Sequence, residues 1–219
     1  MLYNRYIKRI LDFVLSLCAI IALSWLLLLL ALLVKCTSKG PIFFKQKRVG
    51  KDKTYFHILK FRTMRIDTPK DMPTHLLANP EQYITPIGRF LRKTSLDELP
   101  QLFNILVGQM AIVGPRPALW NQEDLIAERD RYGANNVRPG LTGLAQVSGR
   151  DELPIPIKAK YDGDYVDNIG VMYDILLIIR TITSVIHHDG VVEGGTGEGE
   201  FAATKEEELK VAEVGERRE

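Results

Sequence analysis

The amino-acid sequence predicts an α+β, mostly helical fold, in which an N-terminal re-entrant membrane helix-hairpin carries a small cytoplasmic globular domain with interfacial amphipathic helices. Three observations predict it. An uncharged, leucine-rich run near the N-terminus has basic residues on both sides, one pair of short strands follows it, and the rest shows apolar helical patterns punctuated by Pro and Gly. These features divide the 219 residues into a membrane segment, 1–38, a cytoplasmic domain, 39–192, and a charged tail, 193–219.

The membrane segment comes first. From Phe13 to Val34 no residue is charged, and the run is about long enough to cross a bilayer as a helix. It is too long for the apolar part of a signal peptide, and no small-x-small cleavage site precedes the basic segment after it. Arg5, Lys8 and Arg9 lie before the run; Lys35, Lys39, Lys45, Lys47 and Arg48 lie after it. A spanning helix has one basic, cytoplasmic flank, whereas here both flanks carry that mark. A hairpin entering and leaving on one face satisfies both, with Ser24 placed to bond a freed carbonyl at the break. A single-pass anchor held by the heavier C-terminal charge satisfies the charges equally, and in either case the domain faces the cytoplasm.

Next, GPIFFKQKRVGKDKTYFHILKFRTM reads as two strands, Ile42–Phe44 and Tyr55–Ile58, around a Gly-Lys-Asp-Lys turn. The segment Arg65–Tyr83, with three prolines, reads as a mobile loop holding at most one short helix. In TPIGRFLRKTS a short helix puts Arg89, Arg92 and Lys93 on one face. The following helix places Leu102, Phe103, Leu106 and Val107 on a common side. Near the end, two helical pieces flank Asn168-Ile169-Gly170; the second, Tyr173–Ile186, is apolar on more than one side and suits other helices or a membrane surface. From Glu193 onward, Gly, Glu and Lys dominate without a packing pattern, which reads as disorder.

Between the last two basic residues of the short helix and the next apolar pattern stand two adjacent acids, Asp97 and Glu98. Ser95-x-x-Glu98 has the form of a capping box, a purely structural helix start. Pro100 argues against it, because a helix capped at Ser95 would carry a proline inside its first turns. A regular helix starting at Pro100 leaves the acids on an irregular turn at its N-terminus. Downstream, VGPRPALW and VRPGLTGLAQVSGRD each set an arginine, Arg116 and Arg138, beside a proline that stiffens its presentation. Gly140 and Gly143 leave room for backbone to approach a ligand. With Lys60 and Arg62 of KFRTM, these loops suit one polyanion site.

Composition excludes several classes. The formal net charge is only +2, and the basic residues share their segments with acids, so nucleic acid is not an expected partner. Two cysteines, Cys18 and Cys36, make no disulfide framework, and the four histidines lack metal-ligand spacing. Neither a Walker loop nor a dinucleotide fingerprint is present. A substrate partly in the bilayer and partly anionic, a lipid phosphate, fits best. A non-enzymatic scaffold on anionic headgroups is the competing class, in which Asp97→Asn changes little beyond helix-start stability.

In this order, KRILDF, GPIFFKQKRVG, KFRTM, TSLDELPQLFNIL, VGPRP and VRPGLTGLAQVSGRD resemble the bacterial sugar transferase family of small monotopic polyprenyl-phosphate phosphoglycosyl transferases. The resemblance covers about Tyr6 to Ile186. It implies transfer of a sugar phosphate from a UDP-sugar to undecaprenyl phosphate, giving undecaprenyl-diphospho-sugar and UMP, at the bacterial inner membrane on its cytoplasmic face. It also implies that Asp97 is the nucleophile, forming a covalent phosphosugar intermediate. Glu98 matches the second acid of the pair, for metal binding or for preparing the acceptor, and Mg2+ is the implied cofactor, held by Asp97 and Glu98. Arg116 and Arg138 match positions suited to phosphate, Lys60 and Arg62 are further contacts, and Asp162 matches an acid near the site. The family's Ser-Pro break is replaced here by Ser24-Trp25, which removes the strongest cause of a kink. The identity of the sugar, the glycan pathway and homodimer formation are left open by the sequence.

Overall fold

The computed structural model describes residues 3–68, 80–149 and 153–187. The predicted tail and most of the predicted Arg65–Tyr83 loop lie outside the described residues. The fold is α+β and mostly helical.

A π-helical turn, Tyr3–Ile7, leads into α1 (Lys8–Ala22), which is followed after Leu23 by α2 (Ser24–Thr37). The two helices are bent by 65°, and the bend forms without proline. Leu23 alone leaves helical geometry (φ −96°, ψ 7°). The cause is that the two helices dock on different surfaces. Ala19, Ile20 and Leu23 pack on a core of Phe56, Ile58, Leu102, Ile105 and Met110, whereas Leu26, Leu27, Leu30 and Val34 pack against Phe61, Ile87 and Leu91.

The polarity of α1 is inverted. Its buried residues are Lys8, Asp12 and Ser16, one turn apart, while Ile10, Val14, Leu15 and Ile21 are exposed. The polar stripe is bonded to the domain: Lys8 Nζ lies 2.6 Å from Asp174 Oδ2, and the Ile112 N–H donates to Asp12 Oδ1 at 3.0 Å. In water such a helix would turn the other way.

Strands β1 (Phe43–Val49) and β2 (Tyr55–Phe61) form the predicted antiparallel hairpin, longer than the apolar runs alone suggest, with Phe44 opposite Lys60 and Lys47 opposite His57. Its connection puts Asp52 and Lys53 at positive φ (53° and 58°), so the left-handed positions are not taken by Gly50. Helix α3 (Pro86–Lys93) is capped by Thr85, whose Oγ1 accepts from the Gly88 N–H at 3.0 Å, and starts on Pro86. It leads through a 3-10 turn, Leu96–Glu98, into α4 (Gln101–Leu106).

The Pro/Gly-rich loops hold a strand pair that local pattern did not reveal. Strands β3 (Ala111–Val113) and β4 (Gly140–Thr142) run parallel, joined through α5 (Glu123–Asp130). A Cβ on Gly140 or Gly143 would strike the backbone of Gly114. These glycines therefore admit a neighbouring chain segment, and not the ligand expected from the sequence. Helix α6 (Leu144–Val147) and the two predicted C-terminal helices, α7 (Ile155–Asp167) and α8 (Val171–His187), complete the domain. On α8, Leu177 is buried and Met172, Ile175, Leu176, Ile179 and Ile182 are exposed.

Candidate active site

Asp97 and Glu98 occupy the irregular turn that Pro100 predicts. Ser95 precedes it in the left-handed region (φ 56°), a costly conformation for serine, and makes no side-chain cap. The capping box is therefore absent, and the acids start no regular helix; α4 begins only at Gln101.

Three segments converge on these acids. From β2, Lys60 Nζ lies 2.6 Å from Glu98 Oε1. From the loop after β3, Arg116 Nη2 lies 3.1 Å from the same oxygen. From α3, the charge of Arg92 acts on Asp97. The two carboxylates thus sit in unequal surroundings. Burial pushes the Asp97 carboxyl up to about 6; Lys60 opposes that shift and the Glu98 charge adds to it. Burial also raises Glu98, but Lys60 and Arg116 together outweigh it and hold that carboxyl well below the usual carboxylate range. Glu98 is permanently ionised near neutrality and anchors two cations beside Asp97.

Of the residues expected at a polyanion site, the structure gathers Asp97, Glu98, Lys60 and Arg116. It places the other three elsewhere. Arg62 donates to the backbone carbonyls of Ser38 and Lys39 and to Ser38 Oγ, closing the C-terminal end of α2. Arg138 Nε donates to Gly108 O at 3.0 Å. Asp162 is buried on α7 and accepts from Arg129 Nε and Nη2 at 2.8 and 2.5 Å. The basic stripe on α3 also divides: Arg89 pairs with Glu81 at 3.2 Å on the surface, while Arg92 contributes to the acid site.

The predicted apolar face of α4 is only partly the buried one, since Leu102 is buried as expected and Leu106 half-buried. Gln101, Leu102, Asn104 and Ile105 are buried, while Phe103 is 37% and Val107 67% exposed. Sequence reasoning missed Asn104, whose only signal was a polar residue inside LFNIL. Its Nδ2 donates to His57 O and Gln109 Oε1 at 2.9 and 2.7 Å, and its Oδ1 accepts from the Leu59 N–H at 2.9 Å.

No group of three or more His, Cys, Asp or Glu side chains suited to a metal occurs among the described residues. Two adjacent carboxylates nevertheless match the way Mg2+ is bound in phosphoryl-transfer sites, through one or two protein oxygens with the remainder from water and substrate phosphates. Two fixed cations beside a buried carboxylate can bind a diphosphate and direct the carboxylate to phosphorus.

The profile described as "Bacterial sugar transferase" matches residues 3–188. An exopolysaccharide production protein of Sinorhizobium fredii is 38% identical over 192 residues, covering 81% of this chain and 84% of that protein. A UDP-glucose:undecaprenyl-phosphate glucose-1-phosphate transferase of Klebsiella pneumoniae is 39% identical over 186 residues, 82% of this chain and 40% of its own length. An undecaprenyl-phosphate galactose phosphotransferase of Salmonella typhimurium is 36% identical over 202 residues, 85% and 42% respectively. The chain thus spans most of the first relative and less than half of the other two.

Proposed function

Because this chain belongs to the bacterial sugar transferase family, we propose that it moves a sugar phosphate from a UDP-sugar to undecaprenyl phosphate, releasing UMP. The names of the Klebsiella and Salmonella relatives support the acceptor, and the Klebsiella name supports the donor class. The observation that carries the reading for this chain is the buried Asp97 carboxyl beside Lys60 and Arg116, both held on Glu98.

The steps follow from that arrangement. The ionised Asp97 attacks the sugar-bearing phosphorus, the bond from that phosphorus to the UMP oxygen breaks, and the electron pair leaves on UMP. The acyl phosphate formed is reactive, so an oxygen of undecaprenyl phosphate attacks the same phosphorus and returns the Asp97 carboxylate. One phosphoanhydride is broken and one is made, so no separate energy source is needed. Lys60 and Arg116 bind the phosphates and offset charge on the oxygens around phosphorus. Glu98 holds both cations and, with Asp97, would hold Mg2+, which supplies further charge neutralisation to the diphosphate when bound.

The setting is the cytoplasmic face of the bacterial inner membrane, with α1 and α2 as a re-entrant hairpin in the bilayer. At 15 and 14 residues, each helix is about 21–23 Å long, short of the roughly 30 Å hydrocarbon core. The bend, the outward apolar face of α1 and the basic flanks all favour entry and exit on one side. The name of the exopolysaccharide production relative supports polysaccharide assembly as the pathway that this transfer would open.

The test is UMP release by the purified protein with undecaprenyl phosphate, Mg2+ and a panel of UDP-sugars. Release with one sugar, lost in Asp97→Asn, with a phosphosugar adduct on Asp97 in the wild type by mass spectrometry, is the expected result. Equal release from wild type and Asp97→Asn would sink the assignment of the nucleophile.

A further inference from the structure

The edge of β2 away from β1 is met by a side chain and not by a strand. Asn104 Oδ1 takes the Leu59 N–H and Asn104 Nδ2 gives to His57 O, both at 2.9 Å. The carboxamide therefore imitates the peptide unit of a third strand across Ile58. The same residue is fixed from behind: its Nδ2 also donates to Gln109 Oε1, and its own carbonyl accepts from the Gln109 and Met110 N–H groups at 3.0 and 3.3 Å. Asn104 is 2% exposed, so removing its carboxamide would strip the Leu59 N–H and the His57 carbonyl of these partners at a site closed to water on the Asn104 side.

The position of this clamp matters. Lys60 directly follows Leu59 on β2, and Glu98 lies on the turn that opens into α4, which carries Asn104. The Lys60–Glu98 contact is made by two segments, and the Asn104 carboxamide is the side-chain bridge that sets one against the other. We infer that Asn104 is a positioning residue of the acid site: it fixes β2 against α4, and so holds the Lys60 ammonium on Glu98 beside Asp97. This rests on the reaction proposed above only for its catalytic consequence; the geometric claim is independent of turnover.

Lys60 is partly accessible, with a side chain 18% exposed, so its reactivity toward a small acylating reagent reports its hold on Glu98. The experiment measures the Lys60 acetylation rate by mass spectrometry on the full chain in lipid, beside single-turnover UMP release. Glu98→Gln sets the rate of a Lys60 freed from its partner. Leu125→Ala, in a core cluster with Val49, Ala118 and Ala159, controls for lost stability alone. Asn104→Ala is expected to raise Lys60 labelling about two- to tenfold toward the Glu98→Gln rate, the scale of one lost hydrogen bond, with UMP release falling in step. Gln109→Ala, which removes one acceptor at a surface position, should shift both readouts the same way by less, and serves if Asn104→Ala does not fold. Labelling that stays at the wild-type rate, or rises no more than in Leu125→Ala, overturns the inference. Wild-type protein without UMP release, but with the expected labelling pattern, supports the clamp while rejecting the proposed reaction.

Discussion

The Lys60 ammonium lies 2.6 Å from Glu98 Oε1, so the strongest nearby cation is committed to one acid of the pair while its neighbour Asp97 bears the larger net cost of burial. The two carboxylates are adjacent in sequence and opposite in behaviour: Glu98 is held far below its ordinary range and Asp97 is raised to about 6. A nucleophile that is ionised at neutral pH but poorly satisfied is more reactive than one tied up in an ion pair.

That inequality gives the first prediction, a gain in stability from the same substitution that is expected to abolish activity. Because the folded-state pKa of Asp97 is raised, folding favours the protonated acid. Its contribution is fully present below about pH 4 and is lost as pH rises through about 6. At neutral pH the buried charge is therefore a cost. Asp97→Asn should raise stability there by about 1–3 kcal/mol. Thermal melts should show the gain at neutral pH and its disappearance near pH 4; a loss of stability at neutral pH would mean the carboxylate is satisfied in the fold.

The second prediction concerns the acid limb of the first half-reaction, read as single-turnover UMP release. In the wild type the rate should fall as pH drops through about 6, where Asp97 takes up a proton. The negative charge of Glu98 is one cause of that raised value. Glu98→Gln removes it and releases Lys60 and Arg116 to act on Asp97. The surviving activity of this variant should keep its rate to lower pH than the wild type. An acid limb that stays in place or moves upward would contradict the electrostatic account.

How much of this was legible in the sequence depends on what local pattern encodes. Pro100 was enough to place the acids on an irregular turn, and two short apolar runs around a Gly-Lys-Asp-Lys turn were enough for the β1–β2 hairpin. The face of α4 was partly misread because its buried side includes Gln101 and Asn104 while Phe103 and Val107 point outward. Apolar periodicity assumes that water lies outside; α1 breaks the same rule, with Lys8, Asp12 and Ser16 turned inward. Lys60 and Arg62 look equivalent in KFRTM, but Lys60 ends on the acid pair, whereas Arg62 lies just past the strand and turns to the end of α2. The β3–β4 pairing joins segments far apart in the chain, and three-residue strands among Pro and Gly give no local signal.

Asp162 offers a third test, since its place in the fold is a buried ion pair. Burial pushes its carboxyl up, against the attraction of Arg129. Removing one partner strands a charge, so Arg129→Met should cost about 3–5 kcal/mol. The double substitution Arg129→Met with Asp162→Leu should recover most of that loss. If Asp162 serves only the fold, the double variant should release UMP at close to the wild-type rate. A stable double variant without activity would instead return Asp162 to the site that its sequence context implied.

The last prediction is topological. In a background of Cys18→Ser and Cys36→Ser, both native cysteines being exposed, single cysteines replace Asn4 and Lys39 on either side of the helix pair. A re-entrant hairpin places both on the cytoplasmic face, so a membrane-impermeant maleimide should label neither from outside intact spheroplasts and both after the membrane is opened. A straight span would put Asn4→Cys on the outer side, labelled without opening. The bend at Leu23 favours the first outcome, because straightening it would pull α1 off α4, off Ile112 of β3, which bonds Asp12, and off Asp174 of α8, which bonds Lys8. Breaking those contacts would also leave buried charges unpaired, at several kcal/mol. Replacing Lys8 by Met should therefore weaken the docking of α1 and lower the melting temperature, without by itself exposing Asn4→Cys on the far side.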